Sequence, residues 1–155
     1  MPEYHKNIAN NKKALFNYFI EEKFEAGLVL KGTEVKSLRH NKANIIDSYA
    51  LYDANSDSLI LHNCYIAPYD KASYLNHEVR RQRVLLLHKN EIRKIIGKIK
   101  IKGYTLIALS LYFNKKNIAK VELALAKGKK IHDKRDSIKD KDWRREQERL
   151  IRTKL

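Results

Sequence analysis

The sequence predicts a mainly β protein whose short antiparallel strands close into a small barrel, followed by a basic tail that lies outside it. Three observations predict this: apolar alternations joined by turn-forming residues, helical periodicities that are few and short, and an abrupt loss of apolar residues after Lys127. The 155 residues suit a single hydrophobic core, and a 43% hydrophobic content is the ordinary globular level. The expected division is a folded body over residues 1–127 and a tail over residues 128–155.

The first strand is read from Phe24-Glu25-Ala26-Gly27-Leu28-Val29-Leu30. Phe24, Ala26, Leu28 and Leu30 share one face while Glu25 and Gly27 share the other, the period of two expected of a half-buried sheet. Next comes a short helix through Glu34-Val35-Lys36-Ser37-Leu38-Arg39, which Thr33 can cap, which Glu34 suits at its positive end, and which stops near Asn41. Residues 48–52 and 59–66 are apolar runs around the turn-rich residues 53–58, and read as a hairpin.

Residues 70–83 are polar and basic, after which Leu85-Leu86-Leu87 leads into residues 90–97. There Ile92, Ile95 and Ile96 fall on one face of a helix that Gly97 closes. Tyr104–Phe113 and residues 118–126 form a second hairpin around residues 114–117, with Lys120 and Glu122 facing away from Val121 and Leu123. Several short strands with little helix give an antiparallel barrel, of which the five-stranded oligonucleotide-binding (OB) fold is the common small version.

Charge narrows the partner. The chain carries 33 Lys plus Arg against 18 Asp plus Glu, a formal +15, and a surplus this large on so short a chain attracts phosphate at long range. A membrane partner is less suited, because the longest mostly apolar stretch, residues 105–113, is far shorter than the roughly 20 residues of a spanning helix. The opening residues 1–6 lack an apolar leader and the lone Cys64 has no internal disulfide partner, so a reducing cytoplasm is expected.

No constellation for chemistry emerges. The six histidines, His5, His40, His62, His77, His88 and His132, lack the i, i+3 or i, i+4 spacing of a metal site, and His62 with Cys64 on one strand supplies too few ligands for zinc. Phosphate-loop, dinucleotide, hydrolase-elbow and zinc-protease motifs have no counterpart. A nuclease would need paired carboxylates, but Glu21 and Glu22 are neighbours that point to opposite strand faces, while Asp133, Asp136 and Asp140 lie in the tail. Binding, with no catalytic residue, metal or cofactor, is the expectation.

Several blocks carry a family resemblance. Glu25-Ala26-Gly27 with Leu28-Val29-Leu30, then Gly32-Thr33-Glu34-Val35-Lys36-Ser37-Leu38-Arg39, resembles the opening signature of the SsrA-binding protein (small protein B) family. The likeness continues through Asn44-Ile45-Ile46-Asp47-Ser48-Tyr49, Arg83-Val84-Leu85-Leu86-Leu87, Leu109-Ser110-Leu111-Tyr112-Phe113, Ala119-Lys120-Val121-Glu122-Leu123 and Gly128-Lys129-Lys130-Ile131-His132-Asp133-Lys134-Arg135. It spans nearly the whole chain in order.

The resemblance implies an OB-type barrel that binds the tRNA-like part of transfer-messenger RNA and takes part in trans-translation on stalled ribosomes without an enzymatic step; a monomer is expected. It also implies RNA contacts at Glu25, Leu86 and Lys120, with His88 standing where some members have Asn. Gly27, beside Glu25 on the outward face, would let an RNA backbone approach. Read alone, Glu25 is also an ordinary solvent-facing acid and Leu86 an ordinary core residue. The run Asn11-Lys12-Lys13 resembles a further RNA-contact segment, to which Phe16 or Tyr18 could add stacking.

From Lys127 onward there are 12 Lys plus Arg and 6 Asp plus Glu, so 6 of the 15 surplus charges lie in this segment. So polar a tail cannot offset its ordering entropy, and is expected to be disordered alone and to fold on a partner. On a helix, Trp143, Gln147, Leu150 and Ile151 fall at i, i+4, i+7 and i+8, a narrow stripe on a charged cylinder. The stripe could dock on the barrel, but the surrounding Lys and Arg favour an rRNA groove. In the family the tail is helical on the ribosome and occupies the empty mRNA channel and decoding region. Lys129, Lys130, His132, Asp133, Lys134 and Arg135 match its motif: His132 could stack, Lys134 or Arg135 neutralise phosphate, and Asp133 orient a cation.

Overall fold

In chain order the computed structural model has β1 (Lys6–Asn10), α1 (Ala14–Asn17), β2 (Tyr18–Leu28), α2 (Gly32–Arg39), β3 (Ala43–Asn44), β4 (Tyr49–Asp53) and β5 (Ser58–His62). It continues through β6 (Tyr65–Ile66), β7 (Arg83–Leu86), α3 (Lys89–Ile99), β8 (Tyr104–Phe113), β9 (Ala119–Gly128) and α4 (Ile131–Thr153). The structure describes residues 6–72, 74–101 and 103–153; His5 and the reading of the first residues as lacking a leader fall outside them.

Every ladder is antiparallel. β8, β4, β5, β7, β2 and β9 pair in that order, and β9 pairs again with β8, so the sheet closes on itself. The ring therefore has six strands rather than five, and β1 adds along the part of β8 that β4 leaves uncovered. Closure removes the exposed edges an open sheet would present. Leu59, Leu61, Leu85, Leu106, Leu111 and Leu123 are fully buried in its core, and Ile95 on α3 and Leu38 on α2 join them.

Some boundaries differ from the expectation for identifiable reasons. β2 starts at Tyr18, because the residues before Phe24 pair along β9 from Gly128 onward. The run 59–66 breaks at Asn63, whose φ of 59° is left-handed, so β6 leaves the barrel to pair with β3. The same break separates His62, stacked on Tyr49 at 5.4 Å, from the core residue Cys64. α3 passes through Gly97 to Ile99 and is capped at Lys100, so the glycine does not close the helix as expected. Lys31 rather than Thr33 is the N-cap of α2, and its backbone N–H donates to Glu34 Oε1 at 2.9 Å.

Glu34 is more than a helix-end charge. Fully buried, it accepts from Arg81 Nη2 at 2.5 Å and from Nε of Arg83, itself fully buried as the first residue of β7. Arg83 also donates to the carbonyls of Cys64 at 2.6 Å and Val79 at 3.3 Å. Burial pushes the Glu34 carboxyl up, but donation from Lys31, Arg81 and Arg83 outweighs it and holds the group below its ordinary value of 4.5.

Glu34→Gln should therefore destabilise the fold by about 3–5 kcal/mol, because a buried guanidinium is left without its counter-charge. The sign for acid follows from the lowered folded value: the contribution of Glu34 is fully present above pH 4.5 and is lost as pH falls from there through the folded value. Thermal melts between neutral and acid pH should show that loss in the native chain and lack this component in the Gln variant.

Candidate nucleic-acid interface

Gly27 on β2 lies in register with Leu86 of β7 on one side and Lys120 of β9 on the other. Alternation along β7 buries Arg83 and Leu85 and turns Leu86 outward, where it is 57% exposed. Glu25, two residues before Gly27, is exposed and accepts a hydrogen bond from the hydroxyl of Tyr112 on β8, which is itself in register with Lys120. Glu25, Leu86 and Lys120 thus converge from three strands onto one cavity of about 530 Å³, completed by Leu87, His88 and Glu91.

Gly27 lies beneath this cluster. It is buried, and a Cβ there would meet Leu86 Cβ at 3.4 Å and Lys120 Nζ at 3.8 Å. The bare glycine is thus a seat for those two side chains. His88 is the N-cap of α3, and its backbone N–H donates to Glu91 Oε1 at 3.3 Å on the cavity rim.

The arrangement is chemically suited to RNA. An ammonium group offers a phosphate contact, an exposed leucine a surface for a base or sugar, and a carboxylate oxygen accepts from base N–H groups or a 2′-hydroxyl. The acids on the neighbouring stretch of β2 are engaged. A bulge between Ile20 and Glu22 breaks the strict alternation expected of Glu21 and Glu22, and both reach α3, Glu21 to Lys98 at 3.2 Å and Glu22 to Lys94 at 2.6 Å. Among the described residues no cluster of three or more His, Cys, Asp or Glu could hold a metal, and no helix is long and apolar enough to cross a membrane.

The Asn11-Lys12-Lys13 segment stands apart from this face. Tyr18, just beyond it, pairs with Gly128, whereas Gly27 pairs with Lys120; the two are nine steps apart along β2, roughly 30 Å at about 3.3 Å per residue. Lys12 and Lys13 are exposed, but the amide of Asn11 is engaged by the fold: Nδ2 donates to the carbonyls of Ala108 at 3.1 Å and Ile46 at 3.2 Å. Asn11 thus bridges β8 and the residues before β4. Phe16 is exposed on α1, a four-residue helix that the sequence reading missed, while Tyr18 is half-buried.

The tail follows β9 as α4, a 23-residue helix that buries no residue. Lys129, expected to meet rRNA, is engaged where the tail leaves the barrel. Its backbone N–H donates to the Asn17 carbonyl at 2.9 Å, its Nζ donates to the Leu15 carbonyl at 2.9 Å and meets Ser137 Oγ at 2.8 Å, and it sits 4.9 Å from the Phe19 ring centre.

The other motif residues divide as well. Asp133 accepts from the Lys130 backbone N–H at 3.2 Å and so helps cap the start of the helix. His132 lies 3.2 Å from Asp136, Lys134 Nζ lies 6.0 Å from the Phe16 ring centre, and Arg135 is exposed. Trp143, Leu150 and Ile151 are all exposed.

The family model for the SmpB protein matches residues 8–153. Relatives named SsrA-binding protein from Rickettsia bellii (strain RML369-C) and Rickettsia canadensis (strain McKiel) are each 66% identical over 154 residues, covering 99% of this chain and 100% of theirs. A solved chain described as "tmRNA-SmpB: a journey to the center of the bacterial ribosome" matches with a TM-score of 0.62 and 47% identity, over 84% of this chain and 87% of that one. The family match takes in the barrel and α4 alike, and with identity this high over nearly the full length the chain belongs to the SmpB (SsrA-binding protein) family.

Proposed function

We propose that this protein binds the tRNA-like domain of transfer-messenger RNA through the Glu25, Leu86 and Lys120 face and delivers it to stalled ribosomes for trans-translation. It acts in the cytoplasm, as a monomer and without catalysing a step itself. The observation that carries the reading is the convergence of those three side chains from three strands, seated on Gly27, in a chain of net charge +15. The names of its relatives and of its structural neighbour support the same partners.

In this reading the body is residues 1–127 and the tail, residues 128–155, occupies the empty mRNA channel and decoding region. Two observations support that role for α4. No side chain of the helix is buried, so little tertiary packing stabilises it, and a charged helix of this kind is marginal in water. Its Trp143, Leu150 and Ile151 stripe faces solvent, available to a groove of rRNA. The tail is accordingly disordered for much of the time when free, and helical on the ribosome.

Lys120→Ala should weaken binding of the tRNA-like domain about tenfold, the factor for roughly 1.4 kcal/mol, with an unchanged melting temperature. It should also lower the slope of log affinity against log salt by about 0.7–0.9, the share of one phosphate. Glu25→Ala should weaken binding and leave that slope unchanged. Titrations at several salt concentrations beside melting curves check both, and normal binding by the two variants would remove the assignment.

A chain ending at Lys127 should fold and hold transfer-messenger RNA with some loss of affinity, yet fail to support tagging on stalled ribosomes. Replacing Leu150 and Ile151 by Ser should reproduce the tagging defect with little change in RNA affinity. Circular dichroism of the isolated tail should show little helix until ribosomes or rRNA are added. Normal tagging by the truncated chain would contradict the role given to α4.

A further inference from the structure

Tyr112 borders the Glu25, Leu86 and Lys120 face from a fourth strand. It is in register with Asn7 of β1 on one side and with Lys120 of β9 on the other, and Lys120 is in turn in register with Gly27 of β2. Residues paired across strands share a sheet face, so the phenol stands on the same outer surface as Lys120. Yet Tyr112 is only 8% exposed, so its neighbours on that surface hold the ring in place. Glu25 and Lys120 are among the residues that line the cavity, and Tyr112 is not.

Glu25 is exposed, and it sits in register with a second acid, Glu122 of β9. Like charges directly opposite each other on a sheet repel. Glu122 meets Lys23 at 3.7 Å. Glu25 instead reaches diagonally over β9, between the positions of Glu122 and Lys120, and its Oε2 accepts from the Tyr112 hydroxyl. Among the described residues it forms no ion pair with Lys120, although both line one cavity. A Glu25–Lys120 pair would neutralise both groups. A neutral donor holds the carboxylate and leaves the ammonium its full charge for phosphate. The carboxylate has roughly four acceptor positions, so a bond from one hydroxyl leaves it able to accept from a ligand as well.

We propose that Tyr112 is a positioning residue for RNA recognition: its hydroxyl fixes the Glu25 carboxylate beside Lys120, where the carboxylate accepts from an N–H or 2′-hydroxyl of the RNA. This role rests on the reading of the Glu25, Leu86 and Lys120 face given above, and adds the group that turns an exposed, flexible acid into a fixed acceptor. An unheld glutamate gives up its rotamer freedom when a ligand orders it. One already held by a packed phenol gives up less, and RNA binding is stronger by that difference. Tyr112 acts through Glu25 and does not itself touch the RNA.

The test is a double-mutant cycle on the full chain, titrated with the tRNA-like RNA domain. Tyr112→Phe keeps the ring and removes only the hydroxyl, so it should stay folded, its melting temperature lowered by no more than about 4 °C, the most expected of one hydrogen bond at this chain length. It should bind about fivefold more weakly, the scale of one hydrogen bond. The slope of log affinity against log salt should not change, because every phosphate contact remains. In the Glu25→Ala chain the same substitution should weaken binding by less than about 1.5-fold, since the hydroxyl has lost the group it positions. Without RNA, the carboxyl carbon resonance of Glu25 should move in Tyr112→Phe while the Gly27 and Lys120 amides hold; displaced amides would make Tyr112 a residue of the fold and overturn the proposal. Normal binding by Tyr112→Phe beside a weakened Glu25→Ala would overturn it and leave the Glu25 face standing, whereas normal binding by Glu25→Ala would remove both. An equal loss from Tyr112→Phe in the native and Glu25→Ala chains would also overturn it, for the hydroxyl would then act on the RNA directly.

Discussion

The buried ion pair between Glu34 and Arg83 holds α2 against the first residue of β7. In a period-two strand the direction of one residue dictates the direction of all. With Arg83 turned inward to Glu34 and to the carbonyls of Cys64 and Val79, Leu85 must enter the core and Leu86 must face out beside Gly27. A pair of this kind adds little net stability over a well-packed apolar substitute, because removing both charges from water is costly. Its contribution here is specificity: an apolar run such as Val84-Leu85-Leu86-Leu87 carries no register of its own, and a one-residue slip would bury the side chain that the proposed recognition face exposes.

Barrel closure supplies the second constraint. β2 lies between β7 and β9, and β9 pairs with β8, so Leu86, Gly27, Lys120 and Tyr112 come from four successive strands. The same β2–β9 ladder runs on to Tyr18 and Gly128, where the tail leaves the barrel beside α1. One pair of long strands therefore carries the proposed recognition face at one end and the tail's point of departure at the other. A single rigid element sets the spacing between the two functions.

Strong period-two alternation made β2, β8 and β9 legible in the sequence, and with them the outward directions of Glu25 and Lys120. Leu86 was ambiguous because three consecutive leucines have no visible period; only the partner of Arg83 decides which one is exposed. Tyr112 could be read as the outward neighbour of Leu111, but its reach to Glu25 depends on the order of β8, β9 and β2, which is a non-local fact. The bulge between Ile20 and Glu22 and the left-handed Asn63 escaped for the same reason, since either is selected by pairing. Composition announced the tail, but not that Lys129 and Asp133 would be taken up by the fold, because backbone acceptors and donors leave no mark in a charge pattern.

We propose that one end of the β2 ladder, seated on Gly27, is the surface that meets the tRNA-like RNA. Amide chemical-shift mapping of the full chain on addition of that RNA domain tests it most directly. The largest changes are expected at Gly27, Leu86, His88 and Lys120, with β4 and β5 nearly unmoved. Changes concentrated on β4 and β5, with Gly27, Leu86 and Lys120 unmoved, would contradict it.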